Sequence, residues 1–138
     1  MAAIEIKNIG ALDERAKSDF KDFSHNGTAS FYRREVVAGR LSVFSVLIDG
    51  LRVGSLALRR EVQPHGSEMV IVAGGGSYTG QRLVPLMLEF LEGLAGRNGE
   101  QSVRFHTKRE PLALVAQGRG YIEIDDGDPD EITMRKVL

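Results

Sequence analysis

The sequence predicts a mixed α/β fold, an α+β mixed sheet in the order β-α-α-β-β-β-α-β-α-β-β, on three observations. Asp49-Gly50 sits between two β-rich runs and is a strong short-range hairpin signal. Leu83, Leu86, Met87, Phe90, Leu91 and Leu94 recur at helical spacing, with Glu89, Glu92 and Arg97 on the other side. A second pair of β-rich runs flanks the turn-rich DDGDPD near the end of the chain. Antiparallel hairpins early and late, with strands alternating with helices between them, define the class.

The elements follow in order. IEIKNI alternates Ile4 and Ile6 as a first strand. Leu12, Ala16, Phe20 and Phe23 then fall at helical spacing until SHNG breaks the pattern. Thr28 is a suitable N-cap for a second helix, and Gly39 a suitable stop. LSVFSVLI and LRVGSLALRREV are the arms of the Asp49-Gly50 hairpin. EMVIVAG is the next strand, and its unbroken apolar run from Met69 to Ala73 suits a central position with both faces covered. The long helix follows the glycines, starting at Gln81 or later, or else kinking near Pro85, and Gly96 and Gly99 end it. SVRFHT is a strand, PLALVAQG a short helix, and YIEI with EITMRKVL the closing hairpin.

Composition narrows the function. With 138 residues and 42% hydrophobic content, one domain spanning 1–138 is the expectation, and no repeat or linker divides it. A net charge of -1 and a pI near 6.3 give no basic field, so nucleic acid is not indicated as a partner. The absence of cysteine excludes a disulfide framework, a thiolate zinc site and a cysteine nucleophile. No apolar run approaches the ~18 residues of a membrane span, and MAAIEIKNIG has no basic-then-apolar leader pattern. A cytoplasmic protein without a membrane partner is the expectation. DDGDPDE does not match the calcium-loop spacing, so no metal site is assigned and the segment is taken as a turn.

Gly74-Gly75-Gly76, after a buried strand and before a helix, raises the question of an anion. Unpaired amides and the helix dipole at such a junction favour negative charge. A nucleotide P-loop is excluded, because Gln81-Arg82 stand where the lysine and the magnesium-binding hydroxyl belong. A dinucleotide fingerprint is excluded too, since Thr79 and Ser77 interrupt its two possible registers. Two readings remain: an anion-binding loop, or a bulge or turn where the strand leaves the sheet.

Ser77-Tyr78-Thr79-Gly80-Gln81-Arg82 followed by a leucine-bearing helix, with Gly120-Tyr121 closing a short late helix, resembles the GNAT superfamily of acyl-CoA-dependent N-acyltransferases over essentially the whole chain. Within it the chain is most similar to short, divergent members of bacteria and their phages. The family's loop pattern is [Q/R]-x-x-G-x-[G/A]; Gly80 matches, whereas Ser77 and Arg82 depart from it. The resemblance implies acetyl-CoA or coenzyme A as acyl donor, held at Val72, Ala73, Ser77, Tyr78, Thr79, Gly80, Gln81 and Arg82. Amides of the loop would meet the pyrophosphate, and the Arg82 side chain can add a charge-assisted contact.

Acyl transfer needs a group to take the amine's proton, a donor to the developing oxyanion and an acid for the departing thiolate. In the resemblance the family's tyrosine acid, counted back from Gly120-Tyr121, falls on Ala116, and its usual asparagine lands near Arg109. The substitute catalytic candidates are Glu68, at the start of the strand leading to the loop, and His106, on the face of SVRFHT opposite Val103 and Phe105. Each has a plain alternative: a solvated carboxylate, and a histidine without a site role. His65 and the pairs Arg59-Arg60 and Lys108-Arg109, with Arg104, are taken as surface residues, although Lys108-Arg109 can also reach a phosphate. The function implied is N-acyl transfer to an unidentified amine. Its alternatives are a binding protein of the same fold without catalysis and an interaction protein using the fold as a scaffold. Exposed β edges make a homodimer a further expectation.

Overall fold

The computed structural model describes residues 4–20, 29–76, 83–125, 127 and 129–138. Its elements keep the predicted order: β1 Ile4–Asn8, α1 Glu14–Asp19, α2 Ala29–Val37, β2 Ser42–Ile48, β3 Leu51–Gln63, β4 Gly66–Gly76, α3 Leu83–Arg97, β5 Ser102–Thr107, α4 Glu110–Gln117, β6 Ile122–Ile124 and β7 Ile132–Val137. The strands form one seven-stranded sheet in the order β1-β2-β3-β4-β5-β7-β6. Asp49 (φ 50) and Gly50 (φ 84) both adopt positive φ, which a two-residue I′ hairpin turn requires, and they set Ile48 opposite Leu51. Gly39 stops α2 in the left-handed region at φ 78. The Thr28 cap and Phe23 lie outside the described residues.

Residue contacts divide the chain into two compact units. The first runs to Arg59 and takes in β4 from Ile71 onward. Its core gathers Leu12, Ala16, Phe20, Tyr32, Leu41, Val43 and Ala57, with Val72 and Ala73 packed against it. α1 is capped by Asp13, whose Oδ1 accepts the Ala16 amide at 2.8 Å. Arg52 of β3 binds both oxygens of Asp13 at 2.6 and 3.2 Å and lies 2.9 Å from Ser55 Oγ. Ser55 in turn donates to Asp19 at 2.6 Å, so both ends of the short helix are tied to one strand.

Gly74, Gly75 and Gly76 belong to β4 itself, which corrects the picture of a loop or turn at these positions. A Cβ on Gly75 would lie 2.0 Å from the Asp19 carbonyl oxygen, and one on Gly76 2.2 Å from that of Val53. Gly54 faces them, with its own missing Cβ 2.6 Å from the Gly75 oxygen. Gly54, Gly75 and Gly76 are required because three backbones approach more closely than any side chain permits.

The second unit comprises Arg60–Val70 and the chain from α3 onward. Helices α3 and α4 contact each other and β5, and α4 also contacts β7. The buried stripe of α3 centres on Leu88, Leu91 and Ala95, while Leu86 is exposed. The sequence stripe is therefore rotated by part of a turn, because Glu92 is drawn inward by Arg119 and Lys136 at 2.8 and 3.0 Å. Pro85 sits in the first turn of α3, where its missing N–H breaks no helical bond. β5 pairs with β7 in antiparallel register, placing Arg104 opposite Arg135 and His106 opposite Thr133. Among the described residues no helix is long and apolar enough to cross a membrane.

Gly75→Ala should lower stability by about 2 kcal/mol or more, as overpacking against rigid backbone does. Gly96→Ala, whose methyl would meet nothing within 4 Å in α3, should leave stability unchanged or raised. Denaturant midpoints of the two variants make the comparison.

Candidate functional site

Glu68 is the third residue of β4, with a side chain 0% exposed, so the expectation of a solvated carboxylate is corrected. Its Oε2 accepts from Ser102 Oγ at 2.7 Å and from Arg135 Nε, and its Oε1 accepts from Arg135 Nη2 at 2.9 Å. Arg104 Nη1 stands 3.1 Å from Oε1, and Arg104 also binds Glu61 at 2.8 Å. Burial acts to raise the Glu68 pKa, but the Arg135 and Ser102 hydrogen bonds and the two guanidinium charges outweigh it, and the net shift is downward. Such a carboxylate has its lone pairs occupied and resists protonation. Its geometry is that of a structural anchor within the second unit rather than of a base.

His65 was placed by sequence in a surface turn; its Nε2 reaches Ser102 Oγ at 2.8 Å. Serine, histidine and glutamate thus meet, but not as a nucleophile triad. Ser102 gives its proton to Glu68 rather than to His65, and Glu68 Oε2 stands 4.0 Å from the same His65 nitrogen that meets Ser102.

His106 lies on the face of β5 shared with Ser102 and Arg104, as the alternation predicts. Its side chain is 18% exposed, with Nδ1 2.9 Å from Thr133 Oγ1 and 4.0 Å from Glu131 Oε2. Glu68 and His106 are therefore on one polar face, with different partners. The first is locked by arginines, whereas the second is a partly exposed imidazole beside a hydroxyl and a carboxylate.

Val72 and Ala73 are half-buried residues of β4 packed against the core of the first unit. Ser77, Tyr78, Thr79, Gly80, Gln81 and Arg82 lie outside the described residues. Ala116 is 0% exposed on α4, and its carbonyl accepts the Tyr121 amide at 3.1 Å. This position holds a packed methyl with no proton to give. Arg109 caps α4 through its backbone, with no side-chain cap bond, and its amide donates to Thr107 Oγ1 at 2.9 Å. The Tyr121 hydroxyl is buried beside Glu92; burial, then the Glu92 charge, push its pKa up, so it stays protonated.

The partners that sequence reasoning missed are Ser102, Arg104 and Arg135 around Glu68, and Thr133 and Glu131 around His106. The signal was present as period-two polarity in SVRFHT and ITMRKV. It looks like a solvated strand face until the strands are paired.

Glu68→Gln should cost about 3–5 kcal/mol by leaving two arginines without their buried counter-charge, against about 0.5 kcal/mol for a solvated carboxylate. Glu68 and Glu92 are both held below the ordinary glutamate value of 4.5. Their stabilisation is complete above that pH and is lost as pH falls through the lowered folded-state values. Stability measured from pH 6 down to about pH 3 should therefore fall, and fall less steeply in Glu68→Gln.

No family model matches the sequence, and no curated protein shows significant similarity to it. Solved structures match the fold over nearly the whole chain. A GNAT family acetyltransferase from Elizabethkingia anophelis with acetyl-CoA bound has a TM-score of 0.71 at 10% identity, covering 99% of this chain and 98% of that one. PaiA N-acetyltransferase from Thermoplasma acidophilum, in complex with coenzyme A, has a TM-score of 0.61 at 15% identity, covering 99% of both chains. FeeM, an N-acyl amino acid synthase from uncultured soil microbes, has a TM-score of 0.70 at 8% identity, covering 99% of this chain and 92% of that one. At these identities the likeness carries the architecture, and the chain has the fold of the GNAT acetyltransferases.

Proposed function

We propose that the chain is an acyl-CoA-dependent N-acyltransferase, most simply an acetyltransferase, acting on an amine. The observation that carries the proposal is the near-complete fold match to a GNAT acetyltransferase with acetyl-CoA bound. When bound, the donor supplies an acyl thioester. The residues proposed to hold it are the backbone of Val72 and Ala73 and the segment Ser77 to Arg82. The first-turn amides of α3, which have no partner inside the helix, favour an anion beside that segment.

In this proposal His106 takes the proton of the attacking amine, because Glu68 is neutralised by two arginines. The packed methyl of Ala116 offers no acid, so water or the imidazolium of His106 returns a proton to the thiolate. The burial of Ala116 favours a second reading, a protein of this fold that binds acyl-CoA without turning it over. Glycines explained by backbone packing keep the third, a scaffold without cofactor, in play.

Isothermal titration of acetyl-CoA separates these readings. Binding lost in Gly80→Asp with the fold intact supports the first two, and thiol release on adding amines supports only the first. At a hundredfold excess over Kd the donor should add about 2.7 kcal/mol of stability. No binding and no thermal shift would leave the scaffold. We also propose that residues 1–138 act as one domain, since β3 and β4 each run unbroken from one compact unit into the other. Calorimetry should then show one unfolding transition with matching calorimetric and van't Hoff enthalpies. A cytoplasmic setting in a bacterium or its phage and a homodimer formed through the sheet edges complete the proposal, the latter checked by sedimentation velocity.

A further inference from the structure

We propose that the outward face of α2 is a docking surface for an acidic peptide segment of another protein, one that sets an apolar side chain between carboxylates, with Arg33, Arg34 and Val37 as its contact residues. Such a surface is independent of the acyltransferase reading.

The helix has two distinct sides. Ala29, Tyr32 and Val36, at i, i+3 and i+7, face the core of the first unit: Tyr32 is fully buried, and Ala29 and Val36 pack against the same cluster. Arg33, Arg34 and Val37 fall on the other side and are exposed. Val37 stands at i+4 from Arg33 and at i+3 from Arg34, the two spacings that make neighbours on a helix surface. One apolar side chain, 84% exposed, is therefore set beside two guanidinium groups. Phe31, at i-3 from Arg34, adds a ring 38% exposed along the same side.

The charges of this face do not cancel. Glu35 is the only carboxylate of α2, and its Oε2 is taken by Arg40, with Nη2 at 2.6 Å and Nε at 2.8 Å. The Arg40 hydrogen bond, together with the charges of Arg40, Arg59 and Arg34, holds the Glu35 carboxyl below its ordinary value, so one negative charge serves several cations. Among the described residues, no carboxylate lies within ion-pair distance of Arg33 or Arg34. Arg34, in the last turn, complements the helix dipole. That role asks for one cation, not for two beside an exposed valine. The chain as a whole carries a net charge of -1, so the positive excess is local.

The complement of this face is a carboxylate on each side of an apolar group. Guanidinium and carboxylate match in charge and in planar geometry, and covering Val37 adds an attraction that salt does not screen. Nucleic acid is a poorer match, because phosphates offer nothing to the valine. A membrane surface asks for a continuous apolar stripe, whereas Val37 and Phe31 are interspersed with arginines.

Titration of a short synthetic peptide of alternating glutamate and leucine into the nitrogen-15-labelled full chain tests the assignment by NMR. Backbone amide shifts should concentrate between Ser30 and Arg40, and affinity should fall as salt screens the arginines. Arg33→Gln combined with Arg34→Gln should weaken binding about tenfold or more, and Val37→Ser should weaken it while leaving the salt dependence in place. All three residues are exposed, so these variants should keep the circular dichroism and melting temperature of the unaltered chain. Shift mapping on the unaltered chain locates the contact even if they do not. Absence of binding at millimolar peptide, shifts centred elsewhere, or affinity unchanged in the arginine variant overturns the proposal. Equal binding of a peptide with serine in place of leucine also overturns it, since the face would then be a simple basic patch. Without peptide binding, arginine-dependent binding to phosphatidylserine vesicles or arginine-dependent self-association in sedimentation overturns it in favour of a membrane or a second copy.

Discussion

A negative charge that water does not reach sets the terms for the second unit of this protein. Glu68 is completely covered, and an unpaired carboxylate there would cost several kcal/mol. Ser102, Arg104 and Arg135 meet it from β5 and β7, and Glu61 holds the far side of Arg104. Each donor comes from a different point along the chain, so their convergence depends on the strand register. A one-residue slip between β5 and β7 would turn Arg135 to the opposite face and leave Glu68 half satisfied. The network is costly to assemble and costly to break, and it specifies one arrangement of these strands.

The first unit uses backbone contact for a comparable purpose. Gly54, Gly75 and Gly76 remove three side chains where β3, β4 and the end of α1 converge, and Asp13, Asp19, Arg52 and Ser55 fasten the helix to β3. A glycine cluster before a helix is commonly linked to a phosphate. Here Gly75 and Gly76 have a sufficient cause in backbone packing.

Ala116 and His106 together shape the chemistry proposed. Replacing an expected phenol by a packed methyl removes an acid. A thiolate is a good leaving group, so its protonation asks less of the protein than deprotonation of the amine does. In the proposed reaction the burden falls on a base, for which the second unit offers the imidazole of His106 beside Thr133.

Local chemistry made much of the fold legible from sequence. Asp49-Gly50 specified its hairpin because only two consecutive positive-φ residues close that turn. Gly39 ended α2, and the apolar runs placed β4 and α3, because periodicity reports burial directly. The alternation of SVRFHT put His106 on its correct face. The helical stripe of α3 was read slightly out of phase, since Glu92 lies inward only once Arg119 and Lys136 are beside it. What tertiary structure alone decided was the meaning of the charges. Glu68 and Arg135 are 67 residues apart in sequence, and no local pattern announces that they meet. A polar residue alternating on a strand looks the same whether its face is wet or covered, because sequence records side-chain direction and not what lies opposite. Strand register supplied that, turning an apparent surface glutamate into an anchor and setting an isolated histidine beside Thr133.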